Sequence, residues 1–591
     1  MSLPSRFLFL TTVRLAMAAL CLAPSGTLAQ GEPMSDRVIE LPPLLVEEPA
    51  KPLRWRYVEF PGLEMLSVVS DGETRAFLRR YHNQTEILRW ILPSRFQGKS
   101  SVPDEYILFN DNLSRAHSQE VMNSMMAGQR DAARRKQARD KAESGDREAG
   151  RARGRGSPKI KFLPNLRLID IDTTTIFVVV RDSDNLASDF TFSMDRIAYL
   201  LASRVPALPS WFMAGMLGLY ERANFGDDQI AFRPVVWTTP AELEALKDNA
   251  EPLRTLLPMA ELFAGRPRQN PPDARADRLW RAQCTLFLRW AIAEDKGSRR
   301  EALWQFLDRL ESEAPSEALF QSYFNVGYAD MRDILSDYLP EAVEQPVTLR
   351  AGKVSKPPTI NLRDAAPLDV ARIRGDWERI QIAYVRKAFP EVVDKYIDQA
   401  RKTLRKPYDQ GERDPRLLGL LGLLDWDSGD RASAIPLLEA AVNARVARPR
   451  MYYELAISRY AGAAESAAKG TLTREQIDSI SAPIQASWDL SPPNAAAWAI
   501  LADVWNRTKE EVPPDILARL NRAATLFPQV EGLVLRVARL NLRRGDLDHA
   551  ERQLRETLAR MTDPKIKQAI ETELARINSQ RSSAGSGIQS R

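Results

Sequence analysis

The feature that most constrains the fold is a regular spacing of small residues in the last third of the chain. Counting from Pro415 as the first position, small residues occupy the eighth, twentieth and twenty-seventh positions, Gly422, Ala434 and Ala441. Gly429 lies between them, where a glycine typically ends a helix. Small residues at such positions let two helices approach closely, while larger apolar residues fill the space between them. The spacing therefore predicts a pair of antiparallel helices.

Three looser copies of this pattern follow in the sequence. They run from Tyr452 to Pro493, from Trp498 to Pro528 and from Val537 to Leu554. The pattern resembles the 34-residue tetratricopeptide repeat. Because each helix pair of such a repeat buries its apolar face on the next pair, we expect the pairs to stack. The resemblance predicts an all-α repeat array over residues 375–577, and it implies an exposed groove for a protein or a peptide.

The first half of the chain has a different pattern. Alternation of apolar and polar residues and clusters of β-branched residues indicate strands, and a helical pattern begins near Asp71. From Ser193 onward the periodicity is mainly helical. We therefore predict an α+β domain with a mixed sheet within residues 53–230 and a helical extension to residue 345. The predicted strands are Trp55–Phe60, Glu64–Val69, Glu105–Phe109, Leu166–Asp172 and Thr174–Val180.

Two neighbouring segments of this domain carry a family resemblance. The first, Phe190–Ala202, reads FTFSMDRIAYLLA, and the second, Pro209–Tyr220, reads PSWFMAGMLGLY. They resemble the gluzincin-like, or peptidase-MA-like, domains, in which a helix with H-E-x-x-H precedes P-x-W-L-x-E-G-L-A-x-Y. Domains of this kind often carry tetratricopeptide repeats downstream. The resemblance covers residues 53–345 and implies a gluzincin-like fold.

The residues at the zinc-binding positions of that family are changed in this chain. The chemistry needs two histidines four residues apart on one helix face, a glutamate as general base and a third ligand. The resemblance places Asp195 and Tyr199 at the histidine positions, Arg196 at the base position and Ala214 at the third-ligand position. Asp195 can contact a metal, but a phenol is a poor ligand near neutral pH and Ala214 offers no ligand. The Arg196 cation cannot act as a base and would repel Zn²⁺.

A shift of the alignment does not restore a zinc site. Neither His nor Glu occurs between Glu148 and Glu221, and the chain has three histidines, His82, His117 and His549. So few histidines leave few ways to build a zinc or haem site. The sequence also has no G-x-S-x-G motif and no phosphate-binding Gly-rich loop. We therefore expect no catalytic residues, no metal and no cofactor, as in a pseudo-peptidase.

These observations favour a scaffold that binds a protein or a peptide. A cleft that has lost its metal can still hold an extended peptide by strand addition without cutting it. The resemblance places Asp195, Arg196, Tyr199 and Tyr220 in or beside this degenerate cleft, where Arg196 would meet an acidic group. Two alternatives stay open. One is an active hydrolase, zinc-dependent or other, with a non-standard site, and the other is a structural domain without a ligand.

The first 29 residues are typical of a secretory signal. Arg6 and Arg14 supply positive charge beside a short apolar stretch, and Thr27 and Ala29 are the small residues expected for cleavage before Gln30. The alternative is a membrane anchor, although the apolar stretch is short for roughly 30 Å of hydrocarbon. We expect export to the periplasm or the extracellular space, and no transmembrane segment in the mature chain.

Positive charge is concentrated in one segment of low complexity. Residues 130–161 hold 12 Lys and Arg against 5 Asp and Glu, whereas the net charge of the whole chain is +5. We predict a disordered basic insert over residues 129–159. It is either a tolerated surface insertion or an arm in weak contact with an anionic envelope polymer. Because the rest of the chain has no basic surplus, we expect no nucleic-acid partner.

Composition also sets the remaining boundaries. Residues 30–52 are rich in Pro and Glu and indicate an extended leader, and residues 346–374 are Pro-rich and indicate a linker. Residues 578–591 indicate a disordered tail. Cys284, the one cysteine after the signal, lies in a helical pattern and is expected to be buried.

Overall fold

A computed structural model describes residues 39–40, 53–110, 160–161, 165–180, 194–237, 256–265, 274–293, 297–352, 354–466, 471–560 and 564–586. The chain divides into two compact units that alternate along the sequence. The first unit consists of Met1–Leu78, Val102–Asp189 and Thr359–Met451, and the second consists of Arg79–Ser101, Phe190–Pro358 and Tyr452–Arg591. The predicted signal and basic insert lie outside the described residues. The predicted domain boundaries stay predictions.

Nineteen helices are numbered α1 to α19 within the described residues. The helices before residue 350 are α1 (Asp71–Ile91), α2 (Met194–Ala202), α3 (Ser210–Glu221), α4 (Met259–Ala264), α5 (Ala274–Ile292), α6 (Ser298–Arg309), α7 (Glu317–Phe324) and α8 (Tyr328–Glu344). The later helices are α9 (Pro367–Ala388), α10 (Val393–Asp409), α11 (Pro415–Ser428), α12 (Arg431–Asn443), α13 (Pro449–Ser466), α14 (Arg474–Ala486), α15 (Ala495–Asn506), α16 (Pro514–Leu526), α17 (Glu531–Arg544), α18 (Leu547–Arg560) and α19 (Pro564–Ser586).

The first unit contains a mixed sheet of six strands. The first unit's strands are β1 (Ile39–Glu40), β2 (Arg56–Phe60), β3 (Leu63–Ser67), β4 (Asp104–Asn110), β5 (Ile160–Lys161), β6 (Asn165–Ile169), β7 (Thr174–Val180) and β11 (Arg363–Asp364). The sheet has the order β11–β2–β3–β4–β7–β6, with β3, β4 and β7 parallel, while β1 pairs with β5. The predicted mixed sheet is confirmed, and each of the five predicted strands has a counterpart.

Helix α9 packs on one face of this sheet. Its stripe of Ile373, Trp377 and Ile380 lies in one buried cluster with the sheet residues, and the rings of Trp377 and Phe177 are 5.3 Å apart. The sheet side of the cluster consists of Trp55, Tyr57, Leu66, Ile107, Phe109, Leu168 and Phe177. The period of the stripe matches one helix face, whereas the sheet residues alternate along their strands.

The opposite side of α9 packs on α10 and α11. A Cβ at Gly375 would lie 2.5 Å from Leu404 Cδ2, so the missing side chain permits this close approach. The predicted close contact between α11 and α12 is also present, because a Cβ at Gly422 would lie 2.9 Å from Leu438 Cγ. Within the predicted linker, residues 346–374, lie the strands Val347–Arg350 and Arg363–Asp364 and the start of α9 at Pro367.

The second unit contains α2 to α8 around an aromatic core. Trp211 of α3 is fully buried, with its ring 5.1 Å from that of Phe263 and 5.7 Å from that of Phe287. A small antiparallel sheet has the order β10–β9–β8. Its strands are β8 (Ala223–Phe225), β9 (Gln229–Phe232) and β10 (Val347–Arg350). Cys284 of α5 is buried, as predicted.

Helices α14 to α19, with most of α13, also belong to the second unit. One continuous apolar cluster runs from Tyr453 to Leu540, and a second joins Ala538 to Ile577. The helix α19 extends to Ser586, within the predicted tail, and Arg581 pairs with Asp548 and Glu551. The fold is therefore an α+β region with a mixed sheet, followed by a long array of packed helices that suggests repeats. Among the described helices, none is long and apolar enough to cross a membrane.

Candidate functional site

The predicted cleft residues lie on two helices of the second unit. Asp195, Arg196 and Tyr199 are in α2, and Tyr220 is near the end of α3. The side chain of Asp195 lies outside the described residues. Periodicity predicts Ile197 and Leu201 as part of the apolar stripe of α2, and both are fully buried.

Arg196 points to an aromatic side chain of α1. Its Nη2 donates a hydrogen bond to the Tyr81 hydroxyl at 2.9 Å, and its guanidinium lies 5.1 Å from the centre of the Tyr81 ring. Both side chains are buried, with Arg196 only 7% exposed. A cation over a desolvated ring is a favourable contact. Arg196 is therefore a structural contact of α2 as well as a candidate binding residue.

The two tyrosines are also buried, and each is near a different element. The Tyr199 backbone carbonyl accepts hydrogen bonds from the Ser203 amide and the Ser203 hydroxyl at the end of α2. The Tyr220 ring lies 5.4 Å from the ring of Phe225 in β8. Arg196 and Tyr199 share one helix at a spacing of three residues, whereas Tyr220 packs beside the small sheet.

The residues of α3 that carry the family resemblance have packing roles in this structure. Trp211 is central to the aromatic core, and a Cβ at Gly215 would lie 2.6 Å from the Cys284 carbonyl oxygen. The tryptophan and the glycine thus hold α3 tightly against α5. Ala214, at the position of the third zinc ligand, is half-buried and provides no donor atom. Within the described residues, no group of three His, Cys, Asp or Glu is placed to hold a metal ion.

A second constellation, which sequence analysis did not predict, lies in the first unit. It is a buried network of four aspartates and three arginines from four places in the chain. We call it the Asp–Arg network. Its members are Asp170 and Asp172 in the β6–β7 turn, Asp376 and Arg379 in α9, Asp427 in α11, and Arg448 and Arg450 at the start of α13.

Arg379 is at the centre of the Asp–Arg network. Its guanidinium donates to Asp376 at 2.8 Å, to Asp427 at 2.8 Å and to Asp170 at 2.5 Å. Arg448 donates to the other oxygen of Asp376 at 2.7 Å, and Arg450 donates to both oxygens of Asp170. Carboxylates that accept several guanidinium bonds in this way are held in one orientation. The network therefore connects the sheet, α9 and the following helices of the first unit.

The same contacts shift the pKa values of the buried acids in different directions. Burial opposes ionisation of Asp170, but Arg450, Arg379 and Arg448 outweigh it and lower the pKa of this carboxyl. Burial likewise opposes ionisation of Asp376, and Arg379 and Arg448 lower its pKa below the usual value. For Asp172, burial dominates over Arg448 and raises the pKa. These directions follow from the balance of desolvation against opposite charge.

The sequence of α9 contains a signal for this network. Opposite charges stand three or four residues apart at Asp369 and Arg372, at Arg374 and Glu378, and at Asp376 and Arg379. Such pairs are typical of a solvent-exposed helix face. In this helix they flank an apolar stripe and are all buried. An apolar stripe with pairs of opposite charge on both sides is therefore the sequence pattern of a helix whose ion pairs are buried.

The helical array carries a polar cluster on three of its helices. Asp503 of α15 accepts hydrogen bonds from the Tyr460 hydroxyl of α13, from Arg507 Nε at 2.9 Å and from Arg536 Nε of α17 at 3.1 Å. Burial opposes its ionisation, but Tyr460 and the two arginines lower the pKa of Asp503. The two guanidinium groups are about one-third exposed. The cluster therefore presents a surplus of positive charge to solvent.

Comparison with known proteins adds no family. Searches of protein-family models, of curated proteins and of solved structures found no match to this chain. The gluzincin-like and tetratricopeptide-like resemblances therefore stay predictions from the sequence.

Proposed function

We propose that the protein is an exported, non-catalytic scaffold that binds a protein or a peptide in the cell envelope. In this proposal residues 53–345 are a degenerate gluzincin-like domain and the later helices are tetratricopeptide-like repeats. The single observation that carries the proposal is the continuous core of the helical array. Because the apolar faces of the helices are buried in that core, their remaining polar faces are available to a partner.

The polar cluster around Asp503 is the proposed contact point on the array. It combines a phenol, a carboxylate and two partly exposed guanidinium groups on neighbouring helices. Tyr and Arg are enriched among the residues that contribute most to protein interfaces. The surplus of one positive charge favours a partner segment with acidic groups.

The second proposed contact point is the degenerate cleft with Asp195, Arg196, Tyr199 and Tyr220. The proposal gives Arg196 the role of meeting an acidic group of the partner. Because Arg196, Tyr199 and Tyr220 are each less than a tenth exposed, a ligand would reach their edges only. Arg196→Ala and Tyr199→Ala should weaken capture of the partner if the cleft takes part, and should leave it unchanged if this domain is structural.

A crosslinking experiment tests the array surface directly. A photoreactive amino acid at position 507 or 536 should crosslink to one discrete partner in the native envelope fraction, which mass spectrometry then identifies. The matched control is position 522, where Arg522 is an exposed arginine of α16 outside the cluster. Charge reversal by Arg536→Glu should reduce capture of that partner at least about tenfold, a loss of 1.4 kcal/mol, whereas Arg522→Glu should not. Equal crosslinking at all three positions would argue against the proposed surface.

The alternative of an active hydrolase is tested on the same purified protein. Metal analysis and a broad peptide-cleavage assay should find neither stoichiometric zinc nor cleavage. Stoichiometric zinc, with cleavage that Asp195→Ala abolishes, would replace the scaffold with a hydrolase that uses a non-standard site.

A further inference from the structure

Two buried glutamates stand directly opposite each other in the sheet of the first unit. Glu64 of β3 and Glu105 of β4 are register partners in a parallel pair. Partners on neighbouring strands point to the same face, and the strands lie about 4.8 Å apart. Both side chains are buried, at 5% and 6% exposure. Two like charges at this separation, away from water, cannot both be carried without compensation.

The two glutamates differ in the groups that can stabilise a negative charge on each carboxylate. Glu64 lies 3.2 Å from the Arg372 guanidinium and 3.1 Å from that of Arg416, so its negative charge is paired twice. The described hydrogen bond of Glu105 comes from the Thr175 hydroxyl at 3.1 Å, on its other neighbouring strand. One neutral hydroxyl compensates a buried carboxylate far less than two guanidinium groups do.

Charged groups from three segments act on Glu105. They are Glu64, its register partner on β3, Arg372 and Asp376 of α9, and Arg448 of the segment before α13. Burial is the largest influence and raises the pKa of Glu105 well above the ordinary value, with Asp376 and Glu64 adding to the rise. Arg448 and the Thr175 hydroxyl oppose this rise but do not cancel it.

We propose that Glu105 is a proton-operated latch between the sheet and α9. In the closed arrangement, in which α9 packs on the sheet, the Glu105 carboxyl holds a proton. Glu64 and Glu105 together then carry a single negative charge. When the pH rises and Glu105 loses its proton, a further carboxylate appears beside those of Glu64 and Asp376. Their repulsion then weakens the packing of α9 on the sheet.

The sign of the pH dependence follows from proton linkage. An unfolded glutamate releases its proton near pH 4.3, whereas Glu105 in the folded protein keeps it to a higher pH. Between these two values the folded state binds more protons, so its stability falls as the pH rises. The contribution of Glu105 is fully present below the unfolded value and is lost as the pH passes the folded value.

Equilibrium unfolding of the full chain between pH 5 and pH 9 tests this latch. The ratio of the unfolding constant of the wild type to that of Glu105→Gln should rise about tenfold per pH unit until Glu105 ionises. Glu64→Gln is a second test, because it removes the partner of Arg372 and Arg416 and also the charge opposite Glu105. It should destabilise the protein at every pH, and the fall in stability with pH should end at a lower pH than in the wild type. A pH-independent ratio for Glu105→Gln would overturn the proposal.

Hydrogen exchange locates the effect and separates it from general loosening. At high pH, and after correction for intrinsic rates, amides of β4 and α9 should exchange faster in the wild type than in Glu105→Gln. Amides of α17 in the second unit should exchange equally in both. Unchanged exchange in β4 and α9 would show that Glu105 does not hold α9 in place.

A second pair of variants keeps the test valid if Glu105→Gln does not fold. Thr175→Val removes the hydroxyl that favours the charged form of Glu105, so the fall in stability should extend to higher pH. Thr174→Val is the matched control, because the Thr174 hydroxyl donates to Asp104 instead. A shift of the same size in both variants, or in neither, would contradict the latch.

Discussion

At the scale of single residues, glycines inside the helices differ in whether the structure leaves room for a side chain. Gly215 of α3 faces the backbone of α5, and a Cβ there would lie 2.6 Å from the Cys284 carbonyl oxygen. A Cβ at Gly462 of α13 would have no atom within 4 Å. The two positions therefore form a natural pair for comparison, since both glycines lie inside helices.

We predict opposite effects of the same substitution at these two glycines. Gly215→Ala should lower the free energy of unfolding by about 1–3 kcal/mol, because the new methyl group would push α3 away from α5. Gly462→Ala should raise it by about 0.5–1 kcal/mol, because alanine is the better helix former and meets nothing. Urea unfolding of the two purified variants measures both. Stabilisation by Gly215→Ala would show that the two helices are not in close contact.

The buried side chain of Arg196 shows what residue patterns do not reveal. Periodicity predicts α2 and its buried Ile197 and Leu201, because both depend on residues close together in sequence. Arg196 donates a hydrogen bond to Tyr81, which lies 115 residues earlier in the chain. Contacts over such a distance depend on tertiary packing, and a single sequence carries no local signal for them.

At the scale of elements, the strands and most of α9 were predictable, and the start of α9 was not. The strands β2, β3, β4, β6 and β7 follow from alternation and from β-branched residues such as those of Thr174–Val180. By contrast, the prolines of residues 346–374 predict a linker, although α9 begins at Pro367. Proline is well tolerated at the first helical position.

The helices α2 and α3 allow a direct test of the family resemblance. If they correspond to the gluzincin-like pattern, the four changes Asp195→His, Arg196→Glu, Tyr199→His and Ala214→Glu together should create a zinc site. The reason is that two histidines four residues apart and a glutamate from the next helix supply three ligands. We expect about one zinc per chain by mass spectrometry of the folded variant.

A three-change variant that keeps Ala214 is the control for this zinc site. It lacks the third ligand and should release its zinc to a chelator that leaves the four-change variant loaded. Circular dichroism establishes that both variants are folded. A folded four-change variant that takes up no zinc would mean that α2 and α3 are not the counterparts of the zinc-binding helices.

At the scale of the whole molecule, the two compact units do not follow one another along the chain. The first unit combines the sheet with Thr359–Met451, which supplies α9 and the next three helices. The apolar face of the sheet is therefore covered by α9, which begins at Pro367, 187 positions after the last long strand, β7, ends at Val180. This arrangement predicts that the sheet depends on the later helices in order to fold.

Truncation of the chain tests this dependence. A fragment of residues 30–345 lacks Ile373, Trp377 and Ile380, which leaves the Trp55, Phe109 and Phe177 side of the sheet without its cover. An exposed apolar face of this size leads to aggregation or to loss of fixed packing. We expect the fragment to be insoluble or to bind a hydrophobic dye, with no protected amides in β4. Co-expression of residues 346–591 as a separate chain should restore solubility and protection, and the same second chain with Trp377→Asp should not. A soluble fragment of residues 30–345 with protected β4 amides would show that the sheet folds without α9, and that the boundary at residue 345 separates independent domains.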